Sequence, residues 1–223
     1  MLFNSIDFIL FFPIVWVLYR ITPQRFKWII LLIASYYFYM SWKVEYALLI
    51  IFSTVVDYYA AILIEKYHSK RKQLLALSLT TNLGLLFFFK YFNFLGASFN
   101  ELFKASGFAL EIPYHDFLLP VGISFYTFQT LSYTIDVYKG EQKAERHFGI
   151  FALYVSFFPQ LVAGPIERSG RLLPQFKEHR VIRYADLADG FKQVVWGFFK
   201  KVVIADRLAL FVNHVYSQPE AAP

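Results

Sequence analysis

The chain has 223 residues, of which 57% are hydrophobic and only 17% are charged. A soluble domain of this length needs more polar surface than this chain has. A disordered chain needs more charge and fewer aromatic residues. The absence of cysteine excludes disulfide scaffolds, thiolate metal sites and a cysteine nucleophile. The formal charge of +6 points to loops that orient a membrane protein rather than to nucleic-acid binding.

Six segments are apolar enough to be predicted as membrane segments, although some are shorter than the usual 20 residues. Their predicted bounds are 3–20, 28–42, 46–64, 73–90, 117–136 and 148–166. The first is not a secretory signal peptide, because no basic residue precedes Arg20 and no small-residue cleavage site follows it. The fold class predicted is therefore all-α, a polytopic membrane protein with residues 1–223 as one integral membrane domain.

Near the end of the second segment, an aromatic belt typical of a membrane interface contains Tyr36, Tyr37, Tyr39 and Trp42.

Basic residues are concentrated in every second loop. The loops after the first, third and fifth segments contain Arg20, Arg25, Lys27, Lys66, Lys70, Arg71, Lys72, Lys139, Lys143 and Arg146. The other loops have only Lys43, Lys90 and Lys104. Because cytoplasmic loops are enriched in Lys and Arg, this pattern predicts an extracytoplasmic N-terminus. The outer connection after the fourth segment contains residues 93–110, which we interpret as an amphipathic surface helix.

The sixth segment, 148–166, contradicts simple alternation. Its end contains Pro159, Gly164 and Pro165, which break a helix. The loop after it is basic and contains Arg168, Arg171, Lys177, Arg180 and Arg183. The segment either spans fully with an unusual basic outer loop, or it is re-entrant and returns that loop to the cytoplasmic side. The prolines favour re-entry, which requires protein or water around the non-helical backbone.

The C-terminal stretch has helical periodicity over about residues 185–212. Apolar side chains recur three, four and seven residues apart, from Leu187 to Val203, and Lys192, Lys200 and Arg207 follow another face. This pattern is typical of an amphipathic helix in the membrane interface. The alternative is a helix packed beneath the bundle, with its lysines reaching water.

Polar groups inside the apolar segments are the candidate functional residues, because an ionisable group there is costly unless it faces protein or water. Asp57 either lines a polar tunnel or pairs with a neighbouring helix, and the hydroxyl-rich fifth segment either joins helices or lines a cavity. A broken helix beside polar groups is one way to build a site at membrane depth. The substrate-path candidates are Asp57, Gln129, Tyr133, Asp136, Gln160, Glu167 and Arg168.

No catalytic centre or metal site is predicted from spacing. The five histidines lie in loops or at segment ends, and no two have the four-residue spacing of a helical metal site. They are His68, His115, His147, His179 and His214. No histidine is followed by Asp after four residues, and neither a G-x-S-x-G elbow nor a phosphate-binding loop occurs.

Five motifs follow one another along the chain in a characteristic order. They are MLFNSIDF at 1–8, SYYFYMSW at 35–42, LPVGISFYTFQ at 119–129, YTIDVY at 133–138 and FPQLVAGPIER at 158–168. Together they resemble the membrane-bound O-acyltransferase family, in the branch of bacterial alginate O-acetylation and teichoic-acid D-alanylation. The resemblance implies a helix bundle with re-entrant segments and a tunnel. It also implies acyl transfer from a cytoplasmic donor to an acceptor across the membrane.

Within that branch, the resemblance implies an acetyl group donated by acetyl-CoA, with no bound cofactor, in the bacterial inner membrane. The acceptor is an exopolysaccharide such as alginate or a periplasmic acetyl-transfer partner; the lipid bilayer is the other partner, and nucleic acid is not one. The family's catalytic histidine belongs to a later segment, and no position here matches it. We therefore expect an N-terminal half that is inactive alone. The alternative is a non-enzymatic scaffold or polysaccharide-export subunit.

Overall fold

The computed structural model describes residues 1–107, 112–114, 120–161, 164–165, 167–179 and 182–217. All regular elements in these residues are helical, which confirms the all-α prediction. The helices are α1 (Ile6–Ile21), α2 (Lys27–Met40), α3 (Glu45–Lys66), α4 (Arg71–Ala105), α5 (Ile123–Lys139), α6 (Phe148–Ser156), α7 (Phe158–Leu161), α8 (Ser169–Lys177), α9 (Tyr184–Phe198) and α10 (Asp206–Ser217). Predicted features at residues 108–110, 115, 117–119, 162–163, 166, 180 and 218–223 lie outside the described residues.

The chain divides into two compact units. The first comprises Met1 and Val15–Glu178, and the second comprises Leu2–Ile14 and His179–Pro223. In the first unit, α3 packs against α4, α5 and α6, and α2 packs against α6 and α7. The core of this unit is aromatic: Tyr133, Phe151 and Tyr154 are fully buried, and the Tyr133 and Phe151 rings lie 4.7 Å apart.

Two helices, α3 and α4, are long and apolar enough to cross a membrane by length and composition. The 22 residues of α3 extend about 33 Å, which matches the hydrocarbon thickness of a bilayer. The other predicted segments contain shorter helices: α1 has 16 residues, α2 has 14 and α5 has 17. Each of the six segments thus contains at least one helix, whereas six membrane spans stay a prediction.

The connection after the fourth segment, which was predicted to lie outside, differs in its helices from the prediction. Instead of a span at 73–90 followed by a separate surface helix at 93–110, α4 continues without a break for 35 residues to Ala105. No proline occurs between Arg71 and Ala105, and Gly84 and Gly96 are tolerated inside the helix. The helix ends at Ser106, followed by Gly107 in the left-handed conformation (φ 76°), where glycine is favoured.

The predicted aromatic belt at the end of α2 divides between core and surface. Tyr37 is 58% exposed, as an interfacial residue is expected to be, but Tyr39 is only 2% exposed and belongs to the core. Phe38 is also fully buried, and its ring packs against those of Trp42 and Phe158. Tyr39 therefore does not face lipid or water as a residue of an exposed belt would, because this face of α2 is covered by other helices of the bundle.

The second unit contains the predicted C-terminal helix. The structure extends it from Tyr184 to Ser217, as α9, a π-helical segment at Phe199–Ala205, and α10. None of the residues in these three elements is buried. Trp196 and Phe199 stack with nearly parallel rings 5.3 Å apart. The same unit contains the first half of α1, in which Phe8 stacks on Phe12.

Candidate functional site

Asp57 lies at the centre of a polar layer between α3, α4 and α5. Its carboxylate is fully buried. Oδ1 accepts a hydrogen bond of 2.5 Å from the Ser78 hydroxyl, and the Asn82 side-chain amide donates to both carboxylate oxygens at 2.9 Å. The Thr130 side chain of α5 lies nearby, and its own hydroxyl donates to the Thr127 carbonyl at 3.1 Å. Asp57 therefore joins α3 to α4, which agrees with the interpretation that it hydrogen-bonds a neighbouring helix.

Gln129 and Tyr133 also make contacts between helices. The Gln129 Nε2 atom donates to the Tyr154 carbonyl at 2.7 Å, and the Tyr154 hydroxyl donates back to the Gln129 carbonyl at 3.3 Å. The Tyr133 hydroxyl accepts the backbone N–H of Glu145 at 2.8 Å. These bonds tie α5 to α6 and to the loop before it, which agrees with a helix-joining role for the polar groups of α5.

The sixth predicted segment is not one continuous helix, and its first break lies just before its first proline. Pro159 has no N–H and its ring would clash with the Val155 carbonyl in a continuous helix, so α6 ends at Ser156. The N–H of Phe158, freed by this break, donates to the Ser35 hydroxyl of α2 at 3.2 Å. The interruption is thus satisfied by hydrogen bonding inside protein, the condition for non-helical backbone at membrane depth.

Both ends of the broken segment contact the same loop, residues 140–147. Helix α6 begins directly after this loop, with the His147 Nδ1 atom accepting the Ile150 N–H at its N-terminus. After the break, the Ser169 hydroxyl donates to Gln142 Oε1 at 2.5 Å, and Lys177 pairs with Glu145 at 2.6 Å. The chain therefore enters the bundle from this loop and returns to it.

The loops that carry most of the basic residues meet at the same end of the first unit. Glu65, at the end of α3, accepts Arg146 Nη2 at 2.7 Å from the loop after α5. The Arg71 guanidinium lies 5.2 Å from the centre of the Tyr138 ring. Gln24, in the loop after α1, donates to the Glu178 carbonyl at 2.8 Å. This grouping is what the predicted alternation of loops requires.

A cleft of about 620 Å³ opens at this end, between the 140–147 loop and α8. Its charged lining is balanced, with three acidic and three basic side chains: Glu141, Lys143, Glu145, Arg146, Lys177 and Glu178. Arg146 and Lys177 are both engaged in ion pairs with carboxylates. This balance is typical of a surface stabilised by ion pairs. The lining has no excess of positive charge that would attract a phosphate group.

One of the remaining candidates, Glu167, lies close to Gln129, because the Tyr154 hydroxyl contacts the backbone carbonyls of both. Asp136 is half-buried on α5, and Gln160 is half-buried on α7, with its Oε1 atom lacking a hydrogen-bond partner among the described residues. Glu167 is half-buried, and its carbonyl accepts the Tyr154 hydroxyl at 3.4 Å. Arg168 is exposed and precedes α8. Within the described residues, no cluster of three or more His, Asp and Glu side chains could hold a metal ion.

Two buried tyrosines in the core were not among the candidates. Tyr39 of α2 and Tyr126 of α5 are 2% and 1% exposed, yet neither hydroxyl has a hydrogen-bond partner among the described residues. Sequence reasoning grouped Tyr39 with an interfacial belt and Tyr126 with the hydroxyl-rich stretch. Only their lack of a partner, which depends on the packing of several helices, distinguishes them.

Curated proteins of similar sequence identify the family. The chain is 39% identical over 221 residues to a Pseudomonas aeruginosa protein named probable alginate O-acetylase AlgI; the match covers 97% of this chain and 42% of that protein. The Azotobacter vinelandii protein of the same name is 38% identical, with 97% and 44% covered. The chain belongs to the membrane-bound O-acyltransferase family.

A second kind of relative carries a different acceptor in its name. A Helicobacter pylori protein named peptidoglycan O-acetyltransferase is 35% identical over 249 aligned positions, with 96% of this chain and 46% of the relative covered. The chain spans less than half the length of the curated relatives it matches. No protein-family model matches it, and no solved structure does.

Proposed function

We propose that the chain forms the N-terminal part of a membrane-bound O-acetyltransferase of the bacterial inner membrane. The observation that carries this proposal is the 39% identity to an alginate O-acetylase over 97% of the chain. The complete protein would move an acetyl group from acetyl-CoA on the cytoplasmic side to an extracytoplasmic polysaccharide such as alginate. The acceptor would be the polysaccharide itself or a periplasmic protein that acetylates it.

The topology we propose has six membrane segments, a basic cytoplasmic side and an extracytoplasmic N-terminus. The meeting of the basic loops through Glu65, Arg146 and Tyr138 supports this arrangement. The return of the chain to Gln142 after the broken helix supports a re-entrant segment opening on the cytoplasmic side. Residues 184–217 would then lie along the membrane interface, with apolar side chains in lipid.

The chemistry proposed for this part of the protein is positioning rather than catalysis. No histidine here occupies the position of the family's catalytic residue, so none is assigned the task of activating an acceptor hydroxyl. The hydrogen-bonded core of α3, α4, α5 and α6 would hold the broken segment in place beside the acyl-transfer path. The unpaired hydroxyls of Tyr39 and Tyr126, together with Gln160, are candidates for lining that path.

The proposal is tested by measuring O-acetylation of polysaccharide in cells. The 223-residue chain and, separately, the complete reading frame of its gene are expressed in an alginate-producing bacterium that lacks its own acetylase. Acetyl esters on purified alginate are quantified by proton NMR, and those on peptidoglycan by analysis of muropeptides. We expect acetylation by the complete protein and none by the 223-residue chain.

Both proteins must reach the membrane in equal amounts, which immunoblotting of membrane fractions verifies. If alginate stays unacetylated and peptidoglycan gains acetyl groups, the acceptor proposed here is wrong and the transferase activity stands. If the complete protein is folded in the membrane and acetylates neither polymer, the transferase proposal is wrong and a scaffold or export subunit is favoured. Acetylation by the 223-residue chain alone would contradict the assignment of catalysis to another part of the protein.

A further inference from the structure

All partners that the structure gives the Asp57 carboxylate are neutral groups. Ser78 and Asn82 donate to it from α4, and the neutral side chain of Thr130 in α5 is a further neighbour. Asp57, Ser78, Asn82 and Thr130 are all fully buried. A carboxylate removed from water carries a large desolvation cost unless a positive charge or a proton compensates it.

The orientation of Asn82 indicates which form of Asp57 the site holds. The Asn82 Nδ2 atom donates to both oxygens of Asp57 and lies 3.0 Å from the Ser78 carbonyl, so all three of its neighbours are acceptors. Rotating the amide by 180° would place Oδ1 against three acceptors. The surroundings thus fit the ionised carboxylate, whose charge the neutral donors do not cancel.

Two residues next to Asp57, one in contact with it and one a helical turn before it, have buried oxygen atoms without partners. Asn82 Oδ1 and Ser53 Oγ are buried and have no hydrogen-bond partner among the described residues. Ser53 precedes Asp57 by one turn on the buried face of α3. Because a short connection joins α3 to α4, the two helices are antiparallel, and Asn82 lies farther than Ser78 toward the Ser53 side of the layer.

We propose that this layer binds a monovalent hard cation, sodium, between the Asp57 carboxylate, Asn82 Oδ1 and Ser53 Oγ. Carboxylate, amide and hydroxyl oxygens are the ligands that hard cations prefer. A single carboxylate matches a single positive charge, so the site as a whole is neutral. The bound ion offsets the buried charge and links α3 to α4 at the centre of the first unit.

Thermal unfolding of the 223-residue chain in detergent tests this proposal. Sodium chloride is exchanged for choline chloride at constant ionic strength, so that general screening does not change. Since a ligand of the folded state stabilises it by mass action, the midpoint should rise by roughly 3–5 °C for each tenfold increase in sodium above the dissociation constant. Binding of radioactive sodium to the purified protein, competed by unlabelled sodium, gives a direct measurement.

Three variants test whether the sodium response comes from the proposed site. Asp57→Asn should abolish both the sodium-dependent shift and sodium binding. Ser53→Ala, which leaves every hydrogen bond of Asp57 in place, should move the response to higher sodium concentration. Thr134→Val is the matched control, because Thr134 is equally buried and its hydroxyl also lacks a partner among the described residues, but it lies beyond Thr130 on α5. Its sodium response should equal that of the wild type.

Two results would overturn the proposal. One is a wild-type chain whose unfolding midpoint ignores sodium and which binds no radioactive sodium; Asp57 would then be a neutral acid. The other is a sodium response that survives unchanged in Ser53→Ala and Asp57→Asn, which would place any cation elsewhere. If Asp57→Asn does not fold, Ser53→Ala and the direct binding measurement still decide. Each outcome is independent of acetyl transfer.

Discussion

At the scale of single residues, Gly122 shows how tightly the broken segment is packed against α5. It precedes α5 with φ 77°, a left-handed conformation that residues with a side chain adopt only at a cost. A Cβ atom at this position would overlap the carbonyl oxygen of Leu161, at the end of α7. The absence of a side chain therefore lets the start of α5 and the end of α7 meet backbone to backbone.

Replacing Gly122 with Ala should lower the free energy of unfolding by more than about 2 kcal/mol. The left-handed backbone contributes about 1–2 kcal/mol, and displacement of the Leu161 carbonyl adds to it. Gly140→Ala is the matched control, because Gly140 has φ 80° but open space around its Cβ position. Denaturant unfolding in detergent micelles measures both. Equal losses for the two variants would mean that the contact with Leu161 contributes nothing.

At the scale of secondary-structure elements, an ion pair fastens α8 to the loop between α5 and α6. Lys177 Nζ lies 2.6 Å from Glu145 Oε2, and the Glu145 side chain is only 6% exposed. The other carboxylate oxygen of Glu145 accepts the His147 N–H at 2.9 Å. Because Glu145 is buried, leaving its charge without a partner costs more free energy than it would for a carboxylate on the surface.

Lys177→Ala should destabilise the fold by about 2 kcal/mol, below the 3–5 kcal/mol of a fully buried pair because Lys177 is half-exposed. The control is Lys43→Ala, which breaks an exposed pair with Glu45 and should cost about 0.5 kcal/mol or less. Thermal unfolding monitored by circular dichroism compares the two. Adding Glu145→Gln to Lys177→Ala should recover part of the lost stability. Equal destabilisation by Lys177→Ala and Lys43→Ala would contradict this account.

At the scale of the whole molecule, the chain's lack of cysteine makes its membrane topology directly measurable. A single cysteine introduced at an exposed position reacts with a maleimide without background labelling. Lys43, Lys143 and Gln175 are exposed in the structure and lie in the predicted outer loop, the predicted inner loop and α8. Their labelling therefore reports the orientation of the bundle and the side to which the broken segment returns.

In intact cells, a membrane-impermeant maleimide should label Lys43→Cys, whereas Lys143→Cys and Gln175→Cys should react only after permeabilisation. The physical reason is that the loops that meet near Arg146 carry an excess of Lys and Arg, and loops rich in these residues stay in the cytoplasm. Labelling of Gln175→Cys from outside would show that residues 148–166 span the membrane. Labelling of Lys143→Cys from outside would invert the proposed topology.

The prediction of helices from sequence succeeded because it used local signals. Long apolar stretches without proline predicted α3 and the start of α4, and Pro159 predicted the break after α6. The surface helix at 93–110 was predicted separately from the fourth span because Lys90 ended the uncharged stretch. The structure shows that one charge does not end a helix that no proline interrupts.

The partners of the candidate residues could not be predicted in the same way. Sequence left two roles open for Asp57, and its donors Ser78 and Asn82 come from another helix, α4. Tyr39 was expected at the membrane interface, since an aromatic run does not indicate which of its faces another helix covers. Periodicity describes one helix at a time, whereas burial depends on several.

The sequence by itself determined the all-α class, the positions of most helices, the break at Pro159 and the family, because these depend on hydrophobicity, backbone chemistry and ordered motifs along one chain. Tertiary structure alone decided that the broken segment returns to the loop at Gln142, that Asp57 joins α3 to α4, and that Tyr39 lies in the core. Those outcomes depend on contacts between residues from about twenty to more than a hundred positions apart, which only the packed helices bring together.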